Sequence, residues 1–329
     1  MAQIKTIEIG DNKFIDGYKE RETAHGYDLL VELAAVSLNP VDLKKQETYQ
    51  AGAPKILGFD GVGTILAVGE QVTNFKIGEQ VYYAGTTTRD GSLQEQQLID
   101  ARLVAKKPAQ LTVAEAAAFP LVSLTAYELL FEKFHFIPEA GANQGQAILI
   151  INGAGGVGSV ASQLAKWAGL TVYATASPRN FNWLTQNGVA FPVDYHTDQA
   201  HSLAQLPANQ FDAIAVFYDI TSYLPRLVEL AKPFGHIGTI VGVPQPLDIT
   251  ALKNKALSFD WEFMFTKSLE QYRMASQGQI LQRVADLIDQ GGLKSICTKT
   301  YHGLNAANLN AASHLIAAGH NVGKITLTV

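Results

Sequence analysis

The stretch AILIINGAGGVGSVASQLAKWAG, Ala147 to Gly169, decides the fold. Its first part, Ala147–Asn152, is an uninterrupted apolar run closed by one polar residue, the pattern of a strand buried on both faces. Its last part, Val157–Ala168, carries small and apolar residues at helical spacing, and Gly169 stops it. Between them Gly153, Ala154, Gly155, Gly156, Val157 and Gly158 fit G-x-G-x-x-G at the first, third and sixth positions. Glycines there allow a tight turn, a close approach of a diphosphate to the backbone, and close packing of helix on strand. The helix N-terminus then meets the diphosphate with free N–H groups and a partial positive charge. The bare pattern is weak, and its place between a strand and a helix makes it specific. The competing reading is a packing turn in some other α/β protein.

Further strands follow at Thr171–Ala176, Phe211–Tyr218 and Ile237–Val243, with helical Leu224–Ala231 between the last two. Alternating strands and helices predict a doubly wound parallel sheet, the Rossmann arrangement. N-terminal to the turn the rhythm differs. Tyr27–Ser37, Gly61–Val68 and Gln80–Ala84 read as short strands between turn signals, and Ser92–Ile99 is a weaker one. Thr112–Phe119 opens with a capping box, Thr112 and Glu115. Near the end a helical pattern, Gln279–Gln290, precedes a last strand, Ile325–Val329. The N-terminal third and the C-terminal tail are therefore expected to form one β-rich domain around an inserted Rossmann domain.

Cofactor choice is read at the end of the strand after the turn. An NAD site carries Asp or Glu there, ~20 residues on, for the ribose 2′-OH. Here the strand runs into Ser177-Pro178-Arg179-Asn180, with no carboxylate. Ser177 can donate to a 2′-phosphate and Arg179 can pair with it, so the expected cofactor is NADPH. The alternative for Arg179 is a surface arginine in a turn. Phe217 with Tyr218, and Gly242 with Val243, end the next two strands in this reading and flank the ribose and nicotinamide.

The 329 residues suit two domains. Hydrophobic residues make up 47% and charged residues 17%, enough apolar side chain for a sizeable core. The net charge of −5 and pI near 5.9 argue against nucleic acid as a partner. No apolar run reaches the ~18 residues of a membrane helix. No secretory pattern opens the chain, and the single cysteine, Cys297, excludes an internal disulfide; a cytoplasmic protein is expected. Cys297 itself reads as a buried small hydrophobe.

Several motifs in order resemble the medium-chain dehydrogenase/reductase superfamily: Asn39-Pro40-Val41-Asp42, Gly58-Phe59-Asp60-Gly61-Val62-Gly63, Leu124-Thr125-Ala126-Tyr127, the glycine turn, and Gly323-Lys324. The chain looks like the zinc-free quinone oxidoreductase branch, and more narrowly like a bacterial subgroup called zinc-type alcohol dehydrogenase-like. The resemblance implies a GroES-like substrate domain, residues 1–124 and 266–329, and a Rossmann domain binding NADPH, residues 125–265. It also implies a homodimer. Catalytic zinc in such proteins takes Cys near 37–39, His near 59 and a second Cys around the glycine turn, where this chain has Ser37, Asn39, Phe59 and, just before the turn, Asn152. A structural zinc would need four cysteines. His314 and His320 are too far apart for one helical face and read as surface residues, so no metal is expected.

Without a Lewis acid, a simple ketone or alcohol is the harder substrate. Quinones and α,β-unsaturated carbonyls are electron-poor and accept hydride with modest oxyanion donors. The expected activity is zinc-independent, NADPH-dependent reduction of such acceptors. By resemblance Asn39 turns a polar side chain toward nicotinamide and substrate; a turn-forming Asn before Pro40 is the equal alternative. Tyr49 lines the family's pocket as an oxyanion donor or as a packed tyrosine. Thr125 contacts the nicotinamide end, or bonds its own helix backbone. Asp42 and Asp60 are expected to hold loops through backbone N–H groups, and Asp194 has no assigned role. The aromatic stretch Ser258–Phe265 reads as core or interface. Two other functions stay open: a non-catalytic NADPH-binding sensor or structural protein, and an alcohol dehydrogenase disfavoured by the missing zinc ligands.

Overall fold

In the computed structural model, which describes residues 3–11, 13–50, 55–196, 203–319 and 321–329, the N-terminal third is built of strands. The hairpin β1 (Gln3–Gly10) and β2 (Lys13–Glu20) stands apart as a two-stranded ribbon. Next come β3 (Asp28–Ser37), helix α1 (Pro40–Glu47), β4 (Asp60–Val68), β5 (Gln80–Ala84), β6 (Gln96–Asp100) and β7 (Val104–Lys106). β3 is long and almost wholly apolar because it is covered on both sides. It pairs antiparallel with β4 and, over its first half, with β6. The expected strand Ser92–Ile99 slides to Gln96–Asp100, because Leu93 and Gln94 instead pair with Ile7 and Thr6 of the hairpin.

Two short helices follow, α2 (Val113–Ala117) and α3 (Pro120–Tyr127). The capping box forms: the Glu115 carboxylate accepts from the Thr112 N–H at 3.0 Å, and Thr112 Oγ1 accepts from the Glu115 N–H at 3.3 Å.

The parallel sheet comprises β8 (Ala147–Ile151), β9 (Thr171–Ala176), β10 (Phe191–Asp194), β11 (Phe211–Val216), β12 (Ala231–Thr239) and β13 (Ser258–Trp261). Its helices are α4 (Gly156–Trp167), α5 (Phe181–Gln186) and α6 (Leu224–Leu230). The order is β10-β9-β8-β11-β12-β13, so the winding reverses between β8 and β11. In a doubly wound sheet that reversal opens the ligand crevice at the carboxyl ends of the strands. Ile151, Ile214, Val216, Leu227 and Ile237 lie in the core on this sheet.

Two expected boundaries shift. β11 ends at Val216, so Phe217 and Tyr218 lie past it. β12 starts at Ala231 and ends at Thr239, which leaves Gly242 and Val243 in a bend beyond the strand. The extra residues sit in a bulge: the register with β11 jumps between Phe211 and Ala213, and Phe234 takes a left-handed φ of 62°.

The chain closes with α7 (Thr266–Leu269), α8 (Ala275–Asp289), β14 (Cys297–His302), α9 (Ala306–Ala317) and β15 (Lys324–Thr328). β15 pairs antiparallel with β3, setting Thr326 opposite Ser37, and completes a seven-stranded sheet of order β14-β15-β3-β4-β5-β7, with β6 on β3. The chain thus divides into two compact units, Met1–Leu124 with Phe265–Val329, and Thr125–Met264. Among the described residues no helix is long and apolar enough to cross a membrane. His314 is exposed on α9, and His320 lies outside the described residues. Cys297 is half-exposed rather than buried, with its Sγ against the hydroxyls of Thr300 and Thr326.

Candidate functional site

In the parallel-sheet unit, the turn from β8 into α4 has the geometry the glycines require. A methyl on Gly158 would lie 2.4 Å from the Asn152 carbonyl oxygen, and one on Gly153 would lie 2.6 Å from Ala174 Cβ. Both positions are closed by the protein's own packing. Gly155 differs: the nearest atoms to a Cβ there are those of the Asn152 side-chain carboxamide, at 3.3 Å or more. The room beside Gly155 is left for something other than protein, as a diphosphate approach demands. No side chain caps α4 at Gly155, so its first-turn N–H groups are offered to an anion. Ala154 is buried, while Gly156 and Val157 are half-buried in that turn.

At the end of β9, Ser177 Oγ lies 3.1 Å from the Tyr195 hydroxyl. Arg179 is exposed and has no ion-pair partner among the described residues. Tyr195 stacks on His196, ring centroids 4.2 Å apart. His196 Nδ1 lies 2.6 Å from the Asp194 carboxylate. Burial raises the Asp194 carboxyl, but the His196 backbone and ring bonds outweigh it and hold it below its ordinary value. Asp194 therefore orients His196, and the Tyr195 hydroxyl meets Ser177, with exposed Arg179 two residues further along the chain. Tyr195 follows Asp194 at the end of β10, the neighbouring strand-to-loop junction, a segment the family resemblance sets near the adenine side without giving it a role.

On the other side of the switch point Phe217 is buried and Tyr218 is 58% exposed. Gly242 is exposed with open space where a Cβ would stand, and Val243 packs on the sheet core. Thr125 lies buried in α3.

The other unit holds a polar centre with no water-facing side. Lys324 Nζ donates to the Leu38 carbonyl at 2.9 Å, Asn39 Oδ1 at 2.5 Å and Asp60 Oδ2 at 3.2 Å, which uses all three of its hydrogens. Asp60 also accepts from Ser37 Oγ at 2.5 Å, Asn39 Nδ2 at 2.8 Å and the Leu121 N–H at 2.7 Å. Asn39 is therefore buried with both ends of its amide engaged by Asp60 and Lys324. Asp60 holds a backbone N–H as expected, but its principal role is to meet a buried cation. Asp42 is a loop anchor, accepting from the N–H groups of Asn39 and Gly58 at 2.8 and 3.0 Å. Burial pushes its carboxyl up, to about 7, against those two bonds and the Lys324 charge.

Ser37 hydroxyl, Asn39 amide and a carboxylate already paired to an ammonium are a poor donor set for zinc, which takes thiolate and imidazole. Phe59 adds an apolar ring packed on Phe265 at 4.6 Å. Among the described residues no group of three or more His, Cys, Asp or Glu side chains could hold a metal ion. Beside this centre lies a cavity of about 290 Å³, lined by Thr48, half-buried Tyr49, Gln50, Leu57, Phe59 and Thr86.

Residues 25–109 match the alcohol dehydrogenase GroES-like domain family, and residues 187–327 match the zinc-binding dehydrogenase family. A zinc-type alcohol dehydrogenase-like protein of Staphylococcus aureus is 35% identical over 328 residues, 99% of this chain and 98% of the relative. The chain belongs to the medium-chain dehydrogenase/reductase superfamily. This superfamily binds nicotinamide cofactors, which places the glycine turn in an oxidoreductase. Other superfamily relatives extend the range of names. A 2-methylene-furan-3-one reductase of Solanum lycopersicum is 33% identical over 257 residues, 74% of this chain and 61% of that protein. A chloroplastic quinone-oxidoreductase homolog of Spinacia oleracea is 27% identical over 310 residues, 91% of this chain and 89% of that protein.

Proposed function

We propose that the protein is a zinc-independent, NADPH-dependent reductase of quinones or α,β-unsaturated carbonyl compounds. The observation that carries the cofactor choice is the end of β9: Ser177 and an exposed Arg179 with no ion-pair partner among the described residues, a second hydroxyl from Tyr195, and no carboxylate on the strand end itself. Two hydroxyls and a guanidinium suit a 2′-phosphate dianion and give a 2′-hydroxyl little to bind. The α4 N-terminus and Gly155 would hold the diphosphate, and the bends at Phe217 and Gly242 would flank the nicotinamide half.

Zinc independence is supported by Lys324. Its ammonium lies within the Ser37–Asn39–Asp60 centre and is hydrogen-bonded to the Asp60 carboxylate. The acceptor must then be one that takes hydride without Lewis-acid help, as quinones and enones do. Bound NADPH supplies a hydride from C4. Tyr49, on the wall of the cavity, is the candidate donor to the oxygen that gains charge. The names of the tomato and spinach relatives agree with this choice of acceptor.

A panel of quinones, enones and alcohols, each run with NADPH or with NADH and NAD⁺, tests the proposal. The expected result is turnover of quinones or enones with NADPH preferred, insensitive to chelators. NADH used equally well overturns the cofactor choice. Alcohol oxidation lost to a chelator and restored by zinc overturns the metal-free reading.

A further inference from the structure

Asn152, the last residue before the glycine turn, is bound to more of the crevice than any glycine in it. Its backbone is left-handed, φ 66°, a conformation that Asn tolerates better than most side chains. Its N–H donates to Thr175 Oγ1 at 3.0 Å, while the next N–H, of Gly153, donates to the Thr175 carbonyl at 2.9 Å. Thr175 is buried in β9, two residues before Ser177. In the other direction Asn152 Nδ2 donates to the Phe217 carbonyl at 3.1 Å, just past the end of β11. One residue thus ties the carboxyl ends of β9, β8 and β11 together across the reversal point of the sheet.

The side chain is also open. Asn152 is exposed, and the atoms nearest the space beside Gly155 belong to its carboxamide, Nδ2 at 3.3 Å and Oδ1 at 3.6 Å from where a Cβ would stand. One hydrogen on Nδ2 is used by Phe217, which leaves the second, and Oδ1, facing that space. We propose that Asn152 is a dinucleotide-positioning residue. It sets the spacing of the crevice by its tie to Phe217 and offers its remaining N–H to the diphosphate beside Gly155. This rests on the reading of the turn as a nicotinamide dinucleotide site, but not on the choice between NADPH and NADH, since the diphosphate is common to both.

Two variants separate the side chain from the backbone. Asn152→Gly keeps the left-handed turn and removes the carboxamide. Asn152→Asp keeps the shape and puts a carboxylate against both the Phe217 carbonyl and the diphosphate. Binding of NADPH and of NADH is titrated by nucleotide fluorescence, with the melting temperature of the nucleotide-free protein as control. Asn152→Gly is expected to weaken both nucleotides to the same extent, about tenfold, the worth of one or two net hydrogen bonds. Asn152→Asp is expected to weaken both further. Arg179→Ala, in contrast, should weaken NADPH alone. Asn152→Gly binding both nucleotides like the parent protein overturns the inference. So does weakened binding that is matched by a collapse of the melting temperature. Parent protein that binds neither nucleotide overturns the functional reading itself, a different outcome from parent-like binding by the variant.

Discussion

Lys324 and Asp60 lie 3.2 Å apart with side chains 4% and 0% exposed. Removing one partner of such a pair strands the other charge away from water, at about 3–5 kcal/mol. Lys324→Met should therefore lower the unfolding free energy from urea titration by that amount, and adding Asp60→Asn should recover part of the loss. Equal additive losses would show that the pair is not coupled. Asp42 gives a prediction in pH. Its folded carboxyl, raised to about 7 from 3.8, binds a proton more tightly than in the unfolded chain. Between those values the folded state holds the extra proton, so this group's contribution to stability falls as pH rises from about 4 through 7. Asp42→Asn removes that slope. The difference between parent and variant stability should change by a few kcal/mol (on the order of the shift times 1.4) across that window. A flat difference would mean that Asp42 is ionised throughout.

The β8–α4 unit predicts two glycine variants that part company. Gly158→Ala drives a methyl to 2.4 Å from the Asn152 carbonyl, backbone against backbone, and should lower stability by about 3 kcal/mol. Gly155→Ala comes no closer than 3.3 Å to its nearest neighbour, the Asn152 side chain, with an ordinary φ of −71°, so the nucleotide-free melting temperature should hold. Nucleotide affinity should nonetheless fall about tenfold or more, because the methyl stands where the diphosphate approaches. Fluorescence titration beside thermal melts checks both. This element was legible because its signals are local: an apolar run, three glycines and a helix within one stretch of chain. The polar centre was not, since Lys324 reaches Asn39 across 285 positions and no periodicity links them. Gly323-Lys324 stood out only as part of a resemblance, without a role. The end of β12 was misplaced for a third reason. Both neighbours of β12 end level with Thr239, β11 at Val216 and β13 at Trp261, so the apolar residues beyond it have no strand to pair with and Gly242 and Val243 fall outside the sheet.

At the scale of the molecule, the two edges of the six-stranded sheet are not alike. β10 carries Pro192, which cannot donate to another strand, and Phe191 folds back on Tyr173 at 4.5 Å. β13 contains no proline and has β12 on one side only among the described residues. Trp261 and Phe263 are 45% and 48% exposed at its end, while Phe259 is partly buried against the core. An open, unblocked strand with large aromatics beside it is a template for pairing with a second copy, and a twofold axis would let β13 meet itself. The homodimer expected from the family would then form along β13. Sedimentation should give a dimer for the parent chain and a monomer for Trp261→Arg, whereas Phe191→Arg on the opposite edge should leave the dimer intact. A dimer that survives Trp261→Arg but not Phe191→Arg would move the seam to β10, against the proline. A monomeric parent chain would mean that β13 is a bare edge protected only by its four-residue length.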